Sequence, residues 1–207
     1  FTADVSHELR TPLAVIRGAA EVLLADATRP VKERLRLQRI ERAAADMADL
    51  STALLAMARE CDATAARRVV VADIIADSIE KHRHLLRDKP VEVVQIVHGN
   101  PSLAVDANLL GIVIANLVRN SFNYTDRGQV CITLGEDNLS VTDTGQGIPL
   151  EALEQVFMRL YRGGNSQGAG IGLSLARKIV ARHGGRIWAE GEPGQGATFF
   201  FTLPMKG

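Results

Sequence analysis

Between residues 31 and 61 the apolar positions Ile40, Ala43, Met47, Leu50, Leu54, Met57 and Cys61 follow one another in steps of three and four. A stripe with that period fits one face of a helix, whereas a strand repeats its faces every second residue. So narrow a seam has to pack along another helix. The preceding stretch supplies one, with Val5, Leu9, Leu13, Ile16, Ala20 and Leu23 or Leu24 at the same spacing. Pro12 stands inside it, and a local kink or loosening is expected there, because proline removes a backbone donor and crowds the preceding turn. Asp26 to Pro30 is a short connector, and Pro30 suits the first turn of the second helix. The pattern predicts a helical hairpin in which each helix keeps a second apolar edge. Two solutions are open: dimerisation into a four-helix bundle, or packing against the remainder of the same chain.

The alanine-rich joint at 63–68 ends this pattern, and alternating strand and helix signals follow. Strands are expected at Val69–Val71, Val91–Val97 and Leu103–Val105, with a helix between the first two carrying Ile75, Ile79, His82 and Leu86 on one face. His82 there reads as a core-edge histidine. A helix is expected from about Ala107 to Tyr124, then a hairpin of Gln129–Leu134 and Leu139–Asp143 turning at Glu136-Asp137. A helix over about 171–183 and two closing strands, Gly185–Glu190 and Ala197–Leu203, complete a mixed sheet with helices on one face.

Composition narrows the function classes. Lys plus Arg equals Asp plus Glu at 24 each in 207 residues, so no global field recruits nucleic acid or an anionic membrane surface. The one local bias, Arg29 to Arg42, reads either as a solvated helix face or as a docking surface for an acidic partner. Cys61 and Cys131 have no His or Cys at metal-ligand spacing and read as ordinary thiols of a reducing compartment. No apolar run approaches a membrane span, so no membrane contact is expected of these residues themselves. The chain opens on Phe1 inside a helical pattern, which leads us to expect further segments upstream.

Chemistry-bearing residues fall into two groups. Near the start, Ser6-His7-Glu8-Leu9-Arg10-Thr11-Pro12 places an imidazole, a carboxylate and a hydroxyl within five positions, with His7 and Thr11 sharing a helix face. Later come three glycine-rich segments. Asp143-Thr144-Gly145-Gln146-Gly147 ends an apolar strand, and its carboxylate can accept from an exocyclic amine beside a tight turn. Gly168-Ala169-Gly170-Ile171-Gly172-Leu173 enters a helix, whose free N–H groups suit phosphate oxygens. Gly194-Gln195-Gly196-Ala197-Thr198-Phe199 leads into the last strand. Each alone reads equally as a structural turn, and none is a P-loop or a dinucleotide fingerprint. Arg159 and Arg162 sit in the intervening 157–166 stretch, which suits a lid contributing cations. Asn116 and Asn120 stand one helical turn apart, where amide oxygens can ligate Mg2+, and Tyr124 is one further turn along, where it can stack on a base.

In this order the segments resemble the transmitter core of a bacterial sensor histidine kinase of two-component signalling. The phosphoacceptor box lies at Phe1 to Leu13, the asparagine box at Asn116 to Thr125 and the first glycine box at Asp143 to Gly147. The phenylalanine box lies at Val156 to Arg162, and the last two glycine boxes at Gly168 to Leu173 and Gly194 to Phe199. The resemblance implies an α+β chain: a dimerisation and phosphotransfer hairpin over 1–62, a linker at 63–68 and an ATP-binding domain over 69–207. That domain would be an α/β sandwich of the GHKL (Bergerat) type, and the hairpin would form a dimeric four-helix bundle.

The resemblance further implies ATP and Mg2+ as cofactors, a homodimer, and a response-regulator receiver domain as partner. His7 would be the phosphorylated residue, Glu8 its neighbouring base, and Thr11 an orienter of water when the regulator is dephosphorylated. Asn120 would hold Mg2+ with Asn116 in support, Asp143 would read the adenine amino group, and the backbone of Gly168, Gly170 and Gly172 would cradle phosphates. Tyr124, Gly145, Gly147, Leu173 and Thr198 belong to the same nucleotide-binding boxes. Membrane anchoring is expected through segments beyond this stretch. Ser121 and Asn123 depart from the Ala and the Lys or His frequent in the family, which leaves Arg159 or Arg162 to supply the phosphate cation. Leu160 replaces a frequent Phe, and the lid is short.

Two rival readings remain at this stage. An ATPase of the same superfamily would carry a Glu one turn before the Mg2+ asparagine, where this chain has Asn116, an amide unable to act as a general base. A catalytically silent dimeric scaffold would have no need of intact glycine boxes.

Overall fold

A computed structural model of the chain describes residues 2–26, 28–59, 67–87, 89–98, 102–159, 161 and 170–202. Two long helices come first, α1 (Thr2–Leu24) and α2 (Val31–Arg59). Helix α1 runs through Pro12 without interruption. The turn between them is tied by Asp26, whose carboxylate accepts from the backbone and hydroxyl of Thr28, and by Pro30, whose carbonyl takes the first amide bonds of α2. The hairpin closes on one leucine and two alanines: Leu13, Ala20 and Ala44 are buried. The expected seam behaves differently. Ile40, Ala43 and Met47 are exposed, with Ile16, Val22 and Leu35 exposed on the same hairpin. At Ile40, Ala43 and Met47 the stripe is therefore an outer apolar edge, whereas Leu50, further along it, is half-buried against the core. Leu54, Met57 and Cys61 carry side chains outside those described.

Strand β1 (Arg67–Val70) pairs antiparallel with β3 (Ser102–Val105) as a separate ribbon. Between them lie α3 (Val71–His82), a 3-10 turn over Arg83–Leu86, and β2 (Val91–Val97). Then come α4 (Ala107–Tyr124), β4 (Gly128–Leu134) and β5 (Asn138–Asp143). After two 3-10 turns at Leu150–Ala152 and Gln155–Phe157 follow α5 (Gly172–Arg182), β6 (Ile187–Glu192) and β7 (Gly196–Thr202). The main sheet has the order β2-β4-β5-β7-β6, with β2 parallel to β4 and the other neighbours antiparallel. Alternation explains its two faces: Val130, Ile132, Val141, Phe199 and Phe201 are buried toward the helices, while Thr133, Thr142 and Trp188 on the opposite face are not. This is the mixed sheet layered under helices that the sequence predicts.

Helix α4 is the axis of this layer. Asp106 caps its start by accepting from the amides of Asn108 (2.7 Å) and Leu109. At the other end the Lys89 ammonium donates to the carbonyls of Phe122 and Thr125, each at 3.0 Å, where the helix dipole is negative. Ile114, Leu117, Val118 and Phe122 on its inner face are fully buried. We expect Phe122→Ala to destabilise the chain by about 3–5 kcal/mol in urea titration, the usual cost of deleting a buried aromatic ring. His82 conforms to its core-edge reading. Its Nδ1 lies 2.8 Å from the Ser78 carbonyl oxygen, and burial drives its pKa down to about 4, so it is neutral at physiological pH.

Candidate active site

The outward face of α4 opens on a cleft of about 1230 Å3. Its floor is the end of β5, where Asp143 is buried at 4% exposure. One Asp143 oxygen accepts from the Gly145 amide at 2.9 Å. Burial raises this carboxyl above its ordinary 3.8, opposed by the Gly145 amide, the Ser121 hydroxyl and the Ala197 amide. The group is thus an acceptor set in an apolar floor, and donors from a ligand would relieve its desolvation. Glycine is required at two points of the loop that follows. A Cβ on Gly145 would meet the Tyr124 carbonyl, and one on Gly147, which holds φ +74°, would meet the Glu192 carbonyl. The loop is stitched at both sides: Gln146 donates its amide to the Tyr124 carbonyl, and its own carbonyl accepts from Gly194 at 2.7 Å.

The far wall is the start of α5. Gly170 holds φ +69°, Ile171 is the N-cap, and no side chain caps the helix among the described residues, which leaves its first amides for a ligand in the cleft. Gly170, Gly172 and Leu173 line that wall, with Asn120 and Tyr124 opposite. A Cβ on Gly172 would collide with Asn116 Oδ1, so α5 seats its N-terminus directly on α4. Asn116 is buried and committed: Nδ2 donates to the Ile112 carbonyl at 2.8 Å, and Oδ1 accepts from Arg119 at 2.7 Å. It holds the wall together, while half-buried Asn120 faces the open cleft.

The remaining sequence candidates distribute as follows. Thr198 lies on the other side of the sheet, where its hydroxyl donates to Thr142 at 3.1 Å. Arg159 is exposed and is not among the residues lining the cleft. Arg162 and Gly168 lie outside the described residues, as does Leu160 of the expected lid. His7 and Glu8 belong to α1, with their side chains outside those described. Thr11 is exposed on α1.

What sequence reading missed is the third wall, supplied by α2. Arg119 on α4 donates to Asp46 on α2 at 2.6 Å, with Asp46 5% exposed, and its other terminal nitrogen lies 3.9 Å from Asp49. Burial raises the Asp49 carboxyl, and the Arg119 charge opposes that shift. One turn along, Arg42 donates to Asn123 Oδ1 at 2.6 Å. The nucleotide-type cleft thus faces the hairpin. Pairing two antiparallel helices about the 26–30 turn sets Asp49 at roughly the level of His7, since both are 19 residues from that turn.

Comparison with known proteins gives this architecture a family. Residues 1–60 match the His Kinase A (phospho-acceptor) domain. Residues 105–207 match the histidine kinase-, DNA gyrase B-, and HSP90-like ATPase domain. The chain belongs to the sensor histidine kinases of two-component systems, of which it represents the transmitter core. It is 34% identical over 223 residues to the adaptive-response sensory kinase SasA of Crocosphaera subtropica, covering 98% of this chain and 58% of that protein. It is 31% identical over 218 residues to the sensor-like histidine kinase SenX3 of Mycobacterium tuberculosis, covering 99% of this chain and 53% of that protein. Among solved structures, full-length ShkA in complex with AMPPNP superposes with a TM-score of 0.67 at 27% identity, over 98% of this chain and 45% of ShkA. The catalytic domain of histidine kinase ThkA, nucleotide-free, gives 0.61 at 26% identity over 68% of this chain and 95% of that domain. The chain therefore spans little more than half the length of these curated relatives. Among the described residues, no helix is long and apolar enough to cross a membrane.

Proposed function

We propose that the chain autophosphorylates His7 from ATP, passes the phosphoryl group to an aspartate of a response-regulator receiver domain, and dephosphorylates that regulator. The observation that carries the reading is the conjunction of an acceptor-floored cleft, an uncapped helix N-terminus at its wall, and a phosphoacceptor hairpin docked against its mouth. We further propose the division into a hairpin over 1–62, a joint at 63–68 and a catalytic domain over 69–207, with anchoring in a membrane by segments beyond this stretch.

Adenine sits on the floor, its exocyclic amine donating to Asp143, and Tyr124 flanks the base. The glycines at 145 and 147 keep the chain close to the ring, and the open amides at the start of α5 receive phosphate oxygens. A divalent cation fits the donor set. Among the described residues no group of three His, Cys, Asp or Glu could hold a metal, so any ion here depends on phosphate oxygens, water and the neutral Asn120 amide. That matches Mg2+, which takes few protein ligands. When bound, Mg2+ would neutralise phosphate charge as the transfer proceeds.

The chain's own residues then do the following. A neutral imidazole of His7 directs its nitrogen lone pair at the γ-phosphorus. An N–P bond forms as the bond to the bridging oxygen breaks, and that electron pair leaves with ADP. Glu8 accepts a hydrogen bond from the other ring nitrogen, holding the tautomer and offsetting the positive charge that grows on the ring. The exposed hairpin edge at Ile16, Ile40 and Met47 supports a homodimer, because a second copy would cover apolar surface that this chain leaves in water.

Incubation with γ-labelled ATP tests the reading: an acid-labile, alkali-stable label on the chain is expected. Release of free phosphate without labelled protein would instead identify an ATPase. For the reverse activity, Thr11→Ala is expected to slow regulator dephosphorylation by about tenfold or more, with autophosphorylation changed by less than about twofold. Equal losses in the two assays would make Thr11 a structural residue only.

A further inference from the structure

The phosphate end of the cleft poses a charge problem on α4. Asn116, Asn120 and Asn123 follow one another along it, and all three are neutral amides. ATP with one divalent cation still carries net negative charge, and amides cannot neutralise it. Two cations near this face are committed elsewhere. Arg119 is held by Asp46 at 2.6 Å, by Asn116 and by Asp49. Lys89 is engaged by the carbonyls that end α4 and by Asp126 at 3.2 Å. Arg159, the exposed arginine of the 157–166 stretch, does not line the cleft.

Of the other cations that line the cleft, Arg34, Arg42, Lys81, Arg87 and Arg127, Arg42 is the one that bonds an asparagine of α4 among the described residues. Arg42, from α2, lines the cleft and donates through Nη2 to Asn123 Oδ1 at 2.6 Å. That partner is uncharged, and Arg42 Nε is buried with no hydrogen-bond partner among the described residues. A buried N–H left without an acceptor carries a desolvation cost that an oxygen anion placed beside it would remove. Around it stand Glu41 and Asp46 of α2, Arg119 and Tyr124 of α4. Asp46 is already bound to Arg119, which leaves the Arg42 fork available to a second anion.

We propose that Arg42 is a phosphate-binding residue delivered from the hairpin. When the two domains dock as they do here, its guanidinium enters beside Asn123 and supplies the cation that α4 lacks, contacting the γ-phosphate oxygens of bound ATP. This rests on reading the cleft as the nucleotide site. The consequence is that the charge needed for transfer arrives with docking: undocked ATP is bound but missing it. The rate then depends on where the hairpin sits relative to the catalytic domain, so any upstream movement of α2 is converted directly into phosphorylation rate.

The test uses the whole 207-residue chain, with Arg42→Ala, Arg42→Lys and the double variant Arg42→Ala/Asn123→Lys. Initial rates of γ-phosphate labelling are measured at saturating ATP, alongside ATP affinity by equilibrium titration. Arg42→Ala is expected to label on the order of 10²-fold more slowly, with ATP affinity changed by less than about threefold, since binding does not require docking. Arg42→Lys should retain a rate between the two. Adding Asn123→Lys to Arg42→Ala should recover about tenfold or more, because the charge is then restored from the other side of the contact. Labelling by Arg42→Ala at or above the wild-type rate would overturn the proposal, leaving the contact as a latch. Failure of Asn123→Lys to recover any rate would overturn it as well, since the loss would then lie in docking rather than charge. A wild-type chain that binds no ATP would refute the nucleotide site itself, a result visible without any substitution.

Discussion

His7→Gln is expected to abolish labelling from γ-labelled ATP while ATP affinity stays within about twofold of the unsubstituted chain. The separation follows from the architecture. His7 lies on α1, whereas the floor and walls that would hold ATP come from the end of β5, α4, α5 and α2. Glutamine keeps a polar group of similar reach and helix propensity on α1, so the hairpin should fold unchanged. It has no nucleophilic ring nitrogen, and the transfer has no alternative acceptor in the proposed chemistry. The same chemistry sets a pH dependence. Only the neutral ring can attack, so labelling should fall in acid as the imidazole is protonated. Residual phosphohistidine in His7→Gln would transfer the role to another of the five histidines. Loss of ATP binding in the same variant would mean that α1 contributes to the nucleotide site itself.

Much of this architecture was legible because local pattern and tertiary demand agree. The β4–β5 hairpin reads directly from Val130, Ile132 and Leu134 alternating into a Glu136-Asp137 turn, and α4 occupies the span expected of it, Ala107–Tyr124. The parallel β2–β4 pairing is different. Alternation is identical for either strand direction, so the partner and polarity of β2 are set by long-range packing that the segment does not encode. The α2 seam shows a related limit. Periodicity locates an apolar stripe at Ile40, Ala43 and Met47 but not what covers it, and the alanines that close the hairpin give a weaker signal. The interdomain contacts were illegible for a chemical reason. Arg42 ends the Arg29–Arg42 stretch, which reads as a solvated face or a docking surface, and only the folded chain shows it bonded to Asn123, with Asp46 buried against Arg119. Asn116 was legible as a site residue but not in its use, since a buried amide bonded at both ends is a strut where sequence spacing alone puts a second ligand.

These contacts also change how the two domains should be regarded. Asp46 and Arg42 are on the phosphoacceptor hairpin, yet they complete the wall of a cleft whose floor is on the catalytic domain. An ion pair with one partner 5% exposed is costly to break singly, because the survivor is left buried and uncompensated. Removing either partner alone should therefore weaken the docked arrangement, whereas separation of the two domains returns both charges to water.

Asp143→Asn is expected to weaken ATP binding by about 10- to 10²-fold, equivalent to one hydrogen bond to a charged acceptor, while leaving the nucleotide-free fold as stable or more stable at pH 7. Both halves come from the same burial. The folded carboxyl titrates above its unfolded 3.8, so the folded state disfavours its ionised form. That penalty is absent below pH 3.8, grows as pH rises through the folded value, and is constant above it. Asparagine removes it, and apparent stability at pH 7 should hold or rise in thermal unfolding. Its Oδ1 can keep accepting from the Gly145 amide, which preserves the turn. The other end of the side chain, however, becomes an NH2 donor facing the exocyclic amine of adenine, and two donors repel. The same donor suits the carbonyl oxygen at the corresponding position of guanine, so the preference for ATP over GTP should narrow as ATP affinity falls. Unchanged ATP affinity would reduce Asp143 to the acceptor of a structural turn. A loss shared equally by ATP and GTP would show that the substitution had disturbed the floor rather than its hydrogen-bond code.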